Sequence, residues 1–247
     1  MNGVSYLDDI AEIVSLEKRG LSPISPEKIV AVGHVLGLND RCRVIDFGCG
    51  MGEDLYLWGS RFGISGVGVE LDEEFCARAR ERLAKLGQDG RIEIACANAA
   101  EYDFEKGVYD AAACLGASFI FGGYRGTLRR LSQAIRPGGK IAIAEPYYVD
   151  KVVPPELVAY EGDCRTEAEI FQITREEGYE VEYATRATAD DWERYVASNW
   201  YQTLRWLREN PSAADRQQRI KALHRDQDAY PFRLRYQGFA VYVLSRL

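Results

Sequence analysis

The 247-residue sequence predicts an α/β fold in which a mostly parallel sheet carries helices on both faces. One observation behind this prediction is that short aliphatic runs, typical of buried strands, alternate with segments whose apolar residues recur at helical spacing. The other is the stretch from Arg43 to Phe62, where such a run is joined to a predicted helix by a glycine-rich turn. Strands that alternate with helices pair in parallel through right-handed crossovers, which favours a single sheet.

The first elements are predicted from apolar spacing and helix-cap signals. Residues from about 4 to 18 place apolar and acidic side chains at helical spacing, which predicts an N-terminal helix. Ser25 and Pro26 predict the start of a second helix, because serine caps a helix N-terminus and proline fits its first turn. Gly37 ends this helix, since glycine readily adopts the left-handed conformation that follows a last turn.

The sheet is predicted from five aliphatic runs. These strands are 43–47, 66–70, 92–96, 111–115 and 140–144. A helix is predicted from Thr127 to Ile135, and it leads into a tight turn at Arg136–Gly139, where proline and consecutive glycines favour turn conformations.

The C-terminal part is less regular. The predicted elements there are a helix at 167–177, a strand at 179–185, helices at 190–210 and after Pro211, and a final strand at 238–247. Two helices therefore form an insert between the last two strands. We expect one domain over 1–247, with N-terminal helices at 1–37, a core at 38–148, and a C-terminal part at 149–247 that holds a helical lid at 189–230.

Composition narrows the class of protein. A net charge of −7 without a basic run argues against a nucleic-acid partner. The longest uncharged run, 111–124, is too short and too rich in glycine to span a bilayer, so no membrane partner is expected. The acidic N-terminal residues do not resemble a signal peptide. We therefore expect a cytoplasmic protein.

Cysteine and histidine usage argues against a metal site. None of the six cysteines forms a C-x-x-C pair, and several fall inside predicted strands. The two histidines, His34 and His224, lie far apart in the sequence. We interpret the cysteines as reduced, mostly buried residues, and we expect no bound metal.

Three glycines at alternate positions follow the first predicted strand. Gly48, Gly50 and Gly52 allow a sharp turn and a close approach of the backbone to a ligand, at the start of a helix whose free N–H groups face the same turn. A dinucleotide fingerprint would need a third small residue where Glu53 stands. Asp46 at the strand end suits a cationic amino group better than a pyrophosphate. Alone, this pattern fits a purely structural turn equally well.

Other polar residues strengthen the case for a ligand site. Asp46, Glu70, Asn98, Gly116 and Glu145 all fall at the carboxyl ends of predicted strands. Ligands of parallel sheets bind at this edge, where the strand order reverses. A carboxylate at Glu70 can accept hydrogen bonds from a vicinal diol such as ribose, although a solvated strand-end acid is the alternative. The coincidence predicts one shared site.

Together these segments resemble the class I S-adenosylmethionine (SAM) dependent methyltransferases, over about residues 25–148. The motifs that carry the resemblance are Asp46–Glu53, Gly66–Glu70, Tyr109–Asp110, Arg136–Gly139 and Glu145–Tyr148. The resemblance implies a Rossmann-like, seven-stranded, mostly parallel sheet with a final antiparallel strand. It also implies an enzyme with SAM as its cofactor.

The resemblance assigns roles at the methionine end of the cofactor. Gly48, Cys49 and Gly50 are expected to line the methionine carboxylate, and Asp46 to orient the amino group. Leu115, at the end of the fourth strand, is expected beside the methionine portion.

At the nucleoside end, the resemblance assigns the ribose to Glu70 and places Leu71 against the adenine. Asn98 and Ala99 stand where an acidic residue of the family receives the adenine amino group. An asparagine there is a departure from the family pattern, because its amide oxygen accepts without charge assistance. A simple turn asparagine remains the alternative.

The acceptor side is predicted at the end of the fifth strand. Glu145, Tyr147 and Tyr148 could hold a cationic or hydroxylated acceptor through charge and cation–π contact. The alternative is a structural acid with tyrosines that pack the insert. The aromatic stripe from Trp192 to Trp200 is either a core face, a lid over the acceptor, or both.

We therefore expect the protein to transfer a methyl group from SAM to a small molecule. The Asn-Pro-Pro-Tyr box of many nucleobase and amide N-methyltransferases is absent, so we expect an O or N nucleophile on another kind of acceptor. The alternatives are a SAM-binding regulator or scaffold without transfer activity and, more distantly, a nicotinamide-dependent oxidoreductase.

Overall fold

A computed structural model of the chain describes residues 22–87, 90–161 and 164–247. The strands are β1 Arg43–Phe47, β2 Ser65–Glu70, β3 Ile92–Cys96, β4 Tyr109–Leu115, β5 Ile135–Tyr148, β6 Glu180–Arg186 and β7 Gln237–Ser245. The helices are α1 Pro26–Leu36, α2 Glu53–Phe62, α3 Glu73–Ala84, α4 Tyr124–Ala134, α5 Pro155–Glu161, α6 Glu167–Glu176, α7 Ala189–Glu209 and α8 Arg216–Tyr236, with a 3₁₀ turn η1 at Ser118–Phe121. The predicted helix at about 4–18 lies outside the described residues.

The seven strands form one sheet in the order β3-β2-β1-β4-β5-β7-β6. The strands β1 to β5 pair in parallel, and β7 runs antiparallel to both β5 and β6. The predicted fold class is therefore confirmed, including the antiparallel last strand and the helical insert that precedes it.

Cap signals in the sequence explain where several helices begin and end. The Ser25 hydroxyl accepts from the backbone N–H of Lys28 at the start of α1, and Gly37 takes φ +76° after its last turn, as predicted. A capping box between Thr188 and Asp191 opens α7.

Two apolar layers enclose the sheet and join it to its helices. One face packs against α1, α2 and α3 through residues such as Val32, Trp58 and Ala79. The other face packs against α4 and α6 through residues such as Leu128 and Ile170. Helices thus cover both faces and leave the ends of the strands to form the site.

The structure differs from the prediction around β5. This strand is 14 residues long, and the predicted tight turn at Arg136–Gly139 lies inside it. Gly138 adopts φ +78°, and the pairing with β4 shifts register between Tyr109 and Ala111. The glycine-rich segment therefore bends the chain within a paired strand. Neither η1 nor α5 was predicted, because such short segments show no helical period.

The insert consists of α7 and α8, and the aromatic stripe from Trp192 to Trp200 is packed. Trp192 contacts Phe239 of β7 with ring centroids 6.2 Å apart. Trp200 stacks edge-on against Tyr230 at 5.2 Å, and its indole N–H donates to the Asp226 carboxylate at 2.6 Å. Because Val196 is buried between these positions, the stripe forms a packed face of the insert.

Within residues 22–87, 90–161 and 164–247, every helix is too short or too polar to cross a bilayer.

Candidate cofactor and acceptor site

The carboxyl ends of β1 and β4 lie side by side at the point where the strand order reverses. From β1 the chain goes to β2 on one side, and β4 occupies the other side. In open parallel sheets this is where ligands bind. Asp46 lies in register with Gly68 of β2 and Ala113 of β4, so its side chain stands at the centre of this edge.

The glycine loop after β1 turns back along the end of β2. The backbone N–H groups of Gly48 and Cys49 both donate to the Val69 carbonyl, at 2.8 and 3.1 Å. Gly48 has φ +72°, and a Cβ built on it would lie 2.5 Å from the Cβ of Ala117. Glycine at this position is therefore required both by the backbone conformation and by the close approach of the segment after β4.

Glu70 holds the loop from the end of β2. Its Oε2 accepts from the backbone N–H of Gly50 at 2.9 Å, and its Oε1 accepts from those of Leu71 and Asp72 at 2.8 and 2.9 Å. An ionised carboxylate offers about four acceptor positions, so Oε2 retains capacity for a further donor. Three backbone hydrogen bonds thus fix the Glu70 side chain beside the glycine loop.

Asp46 is the most unusual group at this edge. It is only 1 % exposed, and neither carboxylate oxygen has a hydrogen-bond partner among the described residues. Burial, followed by repulsion from Glu70, raises the pKa of Asp46 to about 7. A buried carboxylate without a donor is costly, and it fits a site that receives a cationic group.

The residues predicted around the nucleoside lie at the neighbouring strand ends. Leu71 is 68 % exposed, so its apolar side chain forms open surface beside Glu70. The Asn98 oxygen accepts from the Ala100 N–H at 3.0 Å, which is the turn contact that was the alternative to adenine binding. Ala99 is buried in the core. The structure places all three next to β2 and β3.

Cys49 and Leu115, which are predicted beside the methionine portion, are both buried. A side chain at Gly68 would come within 2.7 Å of the Cys49 sulfur, so this thiol packs under the loop. Leu115 belongs to the apolar layer on the α1 face.

Glu145 lies one strand further along the same edge. It is 8 % exposed, and its Oε2 accepts from the Ser118 hydroxyl at 2.7 Å. Burial raises the pKa of Glu145 to about 7, although the Ser118 hydrogen bond and the charge of Arg165 oppose the shift. A carboxyl group with such a pKa can change its protonation near neutral pH.

Tyr147 and Tyr148 lie beyond Glu145 and line a cavity. Tyr147 pairs with Gly238 in the sheet, and its ring covers that glycine, where no side chain would fit. The cavity has a volume of about 480 Å³, which is within the range of small-molecule sites. Its wall consists of Tyr147, Tyr148, Val149, Asp150, Lys151, Thr166, Glu167 and Ala168.

Sequence patterns did not indicate that Ser118 contacts Glu145, or that Thr166 and Glu167 line the cavity. The Ser118 contact depends on η1, and the other two reach the cavity because Thr166 forms a bridge with Tyr148 across a long sequence separation. A contact between residues this far apart in the sequence leaves no periodic pattern from which it could be predicted. Among the described residues, no three acidic, cysteine or histidine side chains are grouped closely enough to hold a metal ion.

Comparisons with known proteins agree with this geometry. A family profile described as a methyltransferase domain matches residues 44–139, which include the glycine loop, Glu70 and β4. The uncharacterized protein YjhP of Escherichia coli K12 is 33% identical over 211 residues, which are 82% of this chain and 85% of YjhP. The 27-O-demethylrifamycin SV methyltransferase of Amycolatopsis mediterranei is 24% identical over 171 residues, which are 64% of this chain and 59% of that enzyme.

A solved structure matches nearly the whole chain. It is a SAM-dependent methyltransferase from Thiobacillus denitrificans in complex with S-adenosyl-L-homocysteine, with 32% identity and a TM-score of 0.85. The match covers 96% of this chain and 98% of that one. Since a methyltransferase profile matches residues 44–139 and a SAM-dependent methyltransferase is 32% identical over nearly the whole chain, the chain belongs to the class I SAM-dependent methyltransferases.

Proposed function

We propose that this methyltransferase transfers the methyl group of SAM to a small-molecule acceptor that reacts through an oxygen or nitrogen atom. The observation that carries the proposal is the cavity of about 480 Å³ at the end of β5. The volume of this cavity suits a small molecule. The strand β5 is the neighbour of β4, whose carboxyl end lies beside the proposed cofactor site. The net charge of −7 supports an acceptor other than nucleic acid.

On the cofactor side, the residues present fit SAM. The unpartnered carboxylate of Asp46 would accept from the amino group, and Oε2 of Glu70 would accept from the ribose. The loop residues Gly48, Cys49 and Gly50 would lie along the methionine carboxylate. When bound, SAM supplies a methyl group that is already activated by the positive charge on its sulfur.

The nucleoside end would be held less specifically. Leu71 offers exposed apolar surface for one face of the adenine. Asn98 and the backbone of Ala99 would lie along the edge of the base, with the Asn98 oxygen shared between the base and the Ala100 N–H. Leu115 would close the site below the methionine chain.

The protein's task on the acceptor side is to orient a nucleophile and to exclude water. The name of the rifamycin methyltransferase relative indicates a small-molecule acceptor with an oxygen nucleophile. Glu145, with its pKa near 7, would receive a proton from the attacking hydroxyl or amine, and Tyr147 and Tyr148 would position the acceptor.

The α7 and α8 helices would cover this side of the site. Trp192 of α7 packs on Phe239, and the Phe239 ring lies 3.4 Å from where a side chain at Gly116 would begin. Because Gly116 directly follows β4, the start of the insert is close to the strand end beside the cofactor. This contact supports a lid that spans about residues 189–230.

Substitution of Glu145 should separate transfer from cofactor binding. We expect Glu145→Gln to leave SAM affinity within about twofold and to lower the transfer rate by about 10²-fold or more, because general-base catalysis contributes about that much. Transfer by the wild type should rise as the pH increases through about 7, since Glu145 accepts a proton only when ionised. The measurement is methyl transfer against pH with an acceptor found in a metabolite screen.

Two further substitutions, Tyr147→Phe and Ser118→Ala, test the acceptor side of the site. Tyr147→Phe should weaken acceptor binding with little change in SAM affinity, whereas Ser118→Ala should shift the pH profile to higher pH, because the Ser118 hydrogen bond lowers the pKa of Glu145. Full transfer activity in Glu145→Gln would contradict the assigned role. Methylation of DNA or RNA in preference to every metabolite would contradict the small-molecule acceptor.

A further inference from the structure

Two cysteines lie together at the strand end that carries Glu70. Cys96 ends β3 and is the register partner of Glu70, so these residues sit side by side on adjacent parallel strands. Cys76 lies in the first turn of α3. The Cys76 thiol donates to the Glu70 carbonyl, with 3.4 Å between sulfur and oxygen, and the Cys96 thiol donates to the Leu71 carbonyl at 3.8 Å. Both sulfurs therefore lie against the same two consecutive residues.

The two thiols also lie on the same face of the sheet. Ile94 of β3 belongs to the apolar layer beneath α3, and Cys96, two residues further along the strand, points the same way. Cys76 is fully buried in that layer. Burial, followed by a hydrogen bond with Cys96, raises the pKa of Cys76 to about 12. The two thiols are therefore in contact, and the structure holds both in the reduced form.

The two cysteines differ in their access to solvent. Cys96 is exposed, and its strand β3 is at the edge of the sheet. Cys76 and the other cysteines are buried or half-buried. Exposed thiols are oxidised first, and a second thiol beside them can convert the first oxidation product to a disulfide. An oxidant in solution therefore reaches Cys96 first, with Cys76 as the resolving thiol.

We propose that Cys76 and Cys96 are a redox-sensitive pair, which hydrogen peroxide converts to a disulfide that weakens cofactor binding. The Cys96 sulfur attacks one peroxide oxygen, the O–O bond breaks, and the departing hydroxide takes the Cys96 proton to form water. The Cys76 sulfur then attacks the Cys96 sulfur, the S–O bond breaks, and hydroxide leaves with the Cys76 proton as a second water. The two thiols lose two electrons, which reduce one molecule of hydrogen peroxide.

The disulfide would act on Glu70 through the backbone that lies between the two sulfurs. Oε1 of Glu70 accepts from the backbone N–H groups of Leu71 and Asp72, and Asp72 caps α3. An S–S bond is about 2 Å long, shorter than any contact between two thiols, so its formation draws α3 and β3 together across this segment. The Glu70 carboxylate then loses its orientation toward the ribose. This effect rests on the proposed cofactor site, whereas formation of the disulfide does not.

Mass spectrometry of the full chain tests the disulfide. The protein is treated with hydrogen peroxide, the remaining thiols are blocked with an alkylating reagent, and its peptides are analysed without reduction. We expect peptides joined through Cys76 and Cys96, and their separation by dithiothreitol. Cys96→Ser should abolish the linked peptides. The matched control Cys164→Ser, which replaces a half-buried cysteine outside the pair, should retain them.

Isothermal titration with S-adenosylhomocysteine tests the effect on the cofactor site. We expect the oxidised wild type to bind about tenfold more weakly than the reduced wild type, the effect of one lost charge-assisted hydrogen bond. Dithiothreitol should restore the affinity. Peroxide should change the affinity of Cys96→Ser and of Cys76→Ala by less than about twofold. Because Cys76→Ala leaves Cys96 open to oxidation, it separates the disulfide from damage to Cys96 alone.

Three results would contradict the inference, each at a different step. Oxidation of Cys96 without a link to Cys76 would exclude the redox pair. A disulfide that leaves the affinity for S-adenosylhomocysteine unchanged would exclude its coupling to Glu70, while the proposed cofactor site stands. If the reduced wild type does not bind S-adenosylhomocysteine at all, the proposed cofactor site fails, and the effect of the disulfide on it fails as well.

Discussion

Replacement of Glu70 by alanine should weaken SAM binding by about 10- to 100-fold, the effect of losing charge-assisted hydrogen bonds worth about 1.5–3 kcal/mol each. The substitution removes the proposed ribose contact. It also removes the hydrogen bonds that the Glu70 carboxylate accepts from the backbone N–H groups of Gly50, Leu71 and Asp72. Calorimetric titration of the folded variant with SAM measures the loss.

Two further variants separate these contributions. Glu70→Gln keeps the side-chain shape and one acceptor oxygen, so it should lose less affinity than Glu70→Ala. Glu73→Ala removes an exposed acid three residues away and should bind SAM like the wild type. Unchanged affinity in Glu70→Ala would exclude Glu70 from the ribose site.

Replacement of Asp46 by asparagine should stabilise the ligand-free protein and at the same time impair cofactor binding. The pKa of Asp46 is raised to about 7 in the folded state, whereas an unfolded aspartate ionises near pH 3.9. The folded state therefore holds a proton that the unfolded state has released, so the free energy of unfolding decreases as the pH rises from about 4 to 7. Because asparagine does not ionise, Asp46→Asn removes this decrease in the free energy of unfolding.

The gain is limited by the new side chain. The full shift corresponds to about 4 kcal/mol, but a buried amide without partners costs about 1–3 kcal/mol. We therefore expect Asp46→Asn to raise the free energy of unfolding by about 1–3 kcal/mol at pH 8, and to give no gain at about pH 4. SAM affinity should fall by about 10- to 100-fold. Denaturant titration at both pH values gives the stability.

Asp191 provides a control of the opposite sign. Burial alone would raise the pKa of Asp191, but hydrogen bonds from Lys28 and Thr188 hold this pKa below its usual value. Asp191→Asn should therefore destabilise the protein at neutral pH. If Asp46→Asn also destabilises the protein at pH 8, the pKa of Asp46 is not raised in the folded state.

The fold followed from local signals in the sequence. Ser25, Pro26 and Gly37 mark the ends of α1 because caps depend on neighbouring residues alone. The glycines of the loop could be recognised from the sequence alone, because glycine is the usual residue where the backbone turns sharply or approaches another segment closely. The bend at Gly138 was predicted as a turn between a helix and a strand, but Ile135 and Lys140 on either side of it both pair with β4, so it lies within a strand.

Residues of the candidate site could be proposed from the sequence where strand ends could be identified, but not where contacts between distant segments bring side chains together. Asp46 and Glu70 follow from topology, since parallel strands bring their carboxyl ends to one edge. The pairing of Glu145 with Ser118 and the raised pKa of Asp46 depend on burial and on side-chain orientation. A single sequence carries no local pattern for either.

A crystal structure with bound S-adenosylhomocysteine tests the central claim most directly. We expect the amino group within hydrogen-bond distance of Asp46, the ribose on Glu70, and the sulfur at the ends of β1 and β4 with its open side toward the cavity of Tyr147 and Tyr148. A ligand whose ribose and amino group contact neither acid would contradict the account.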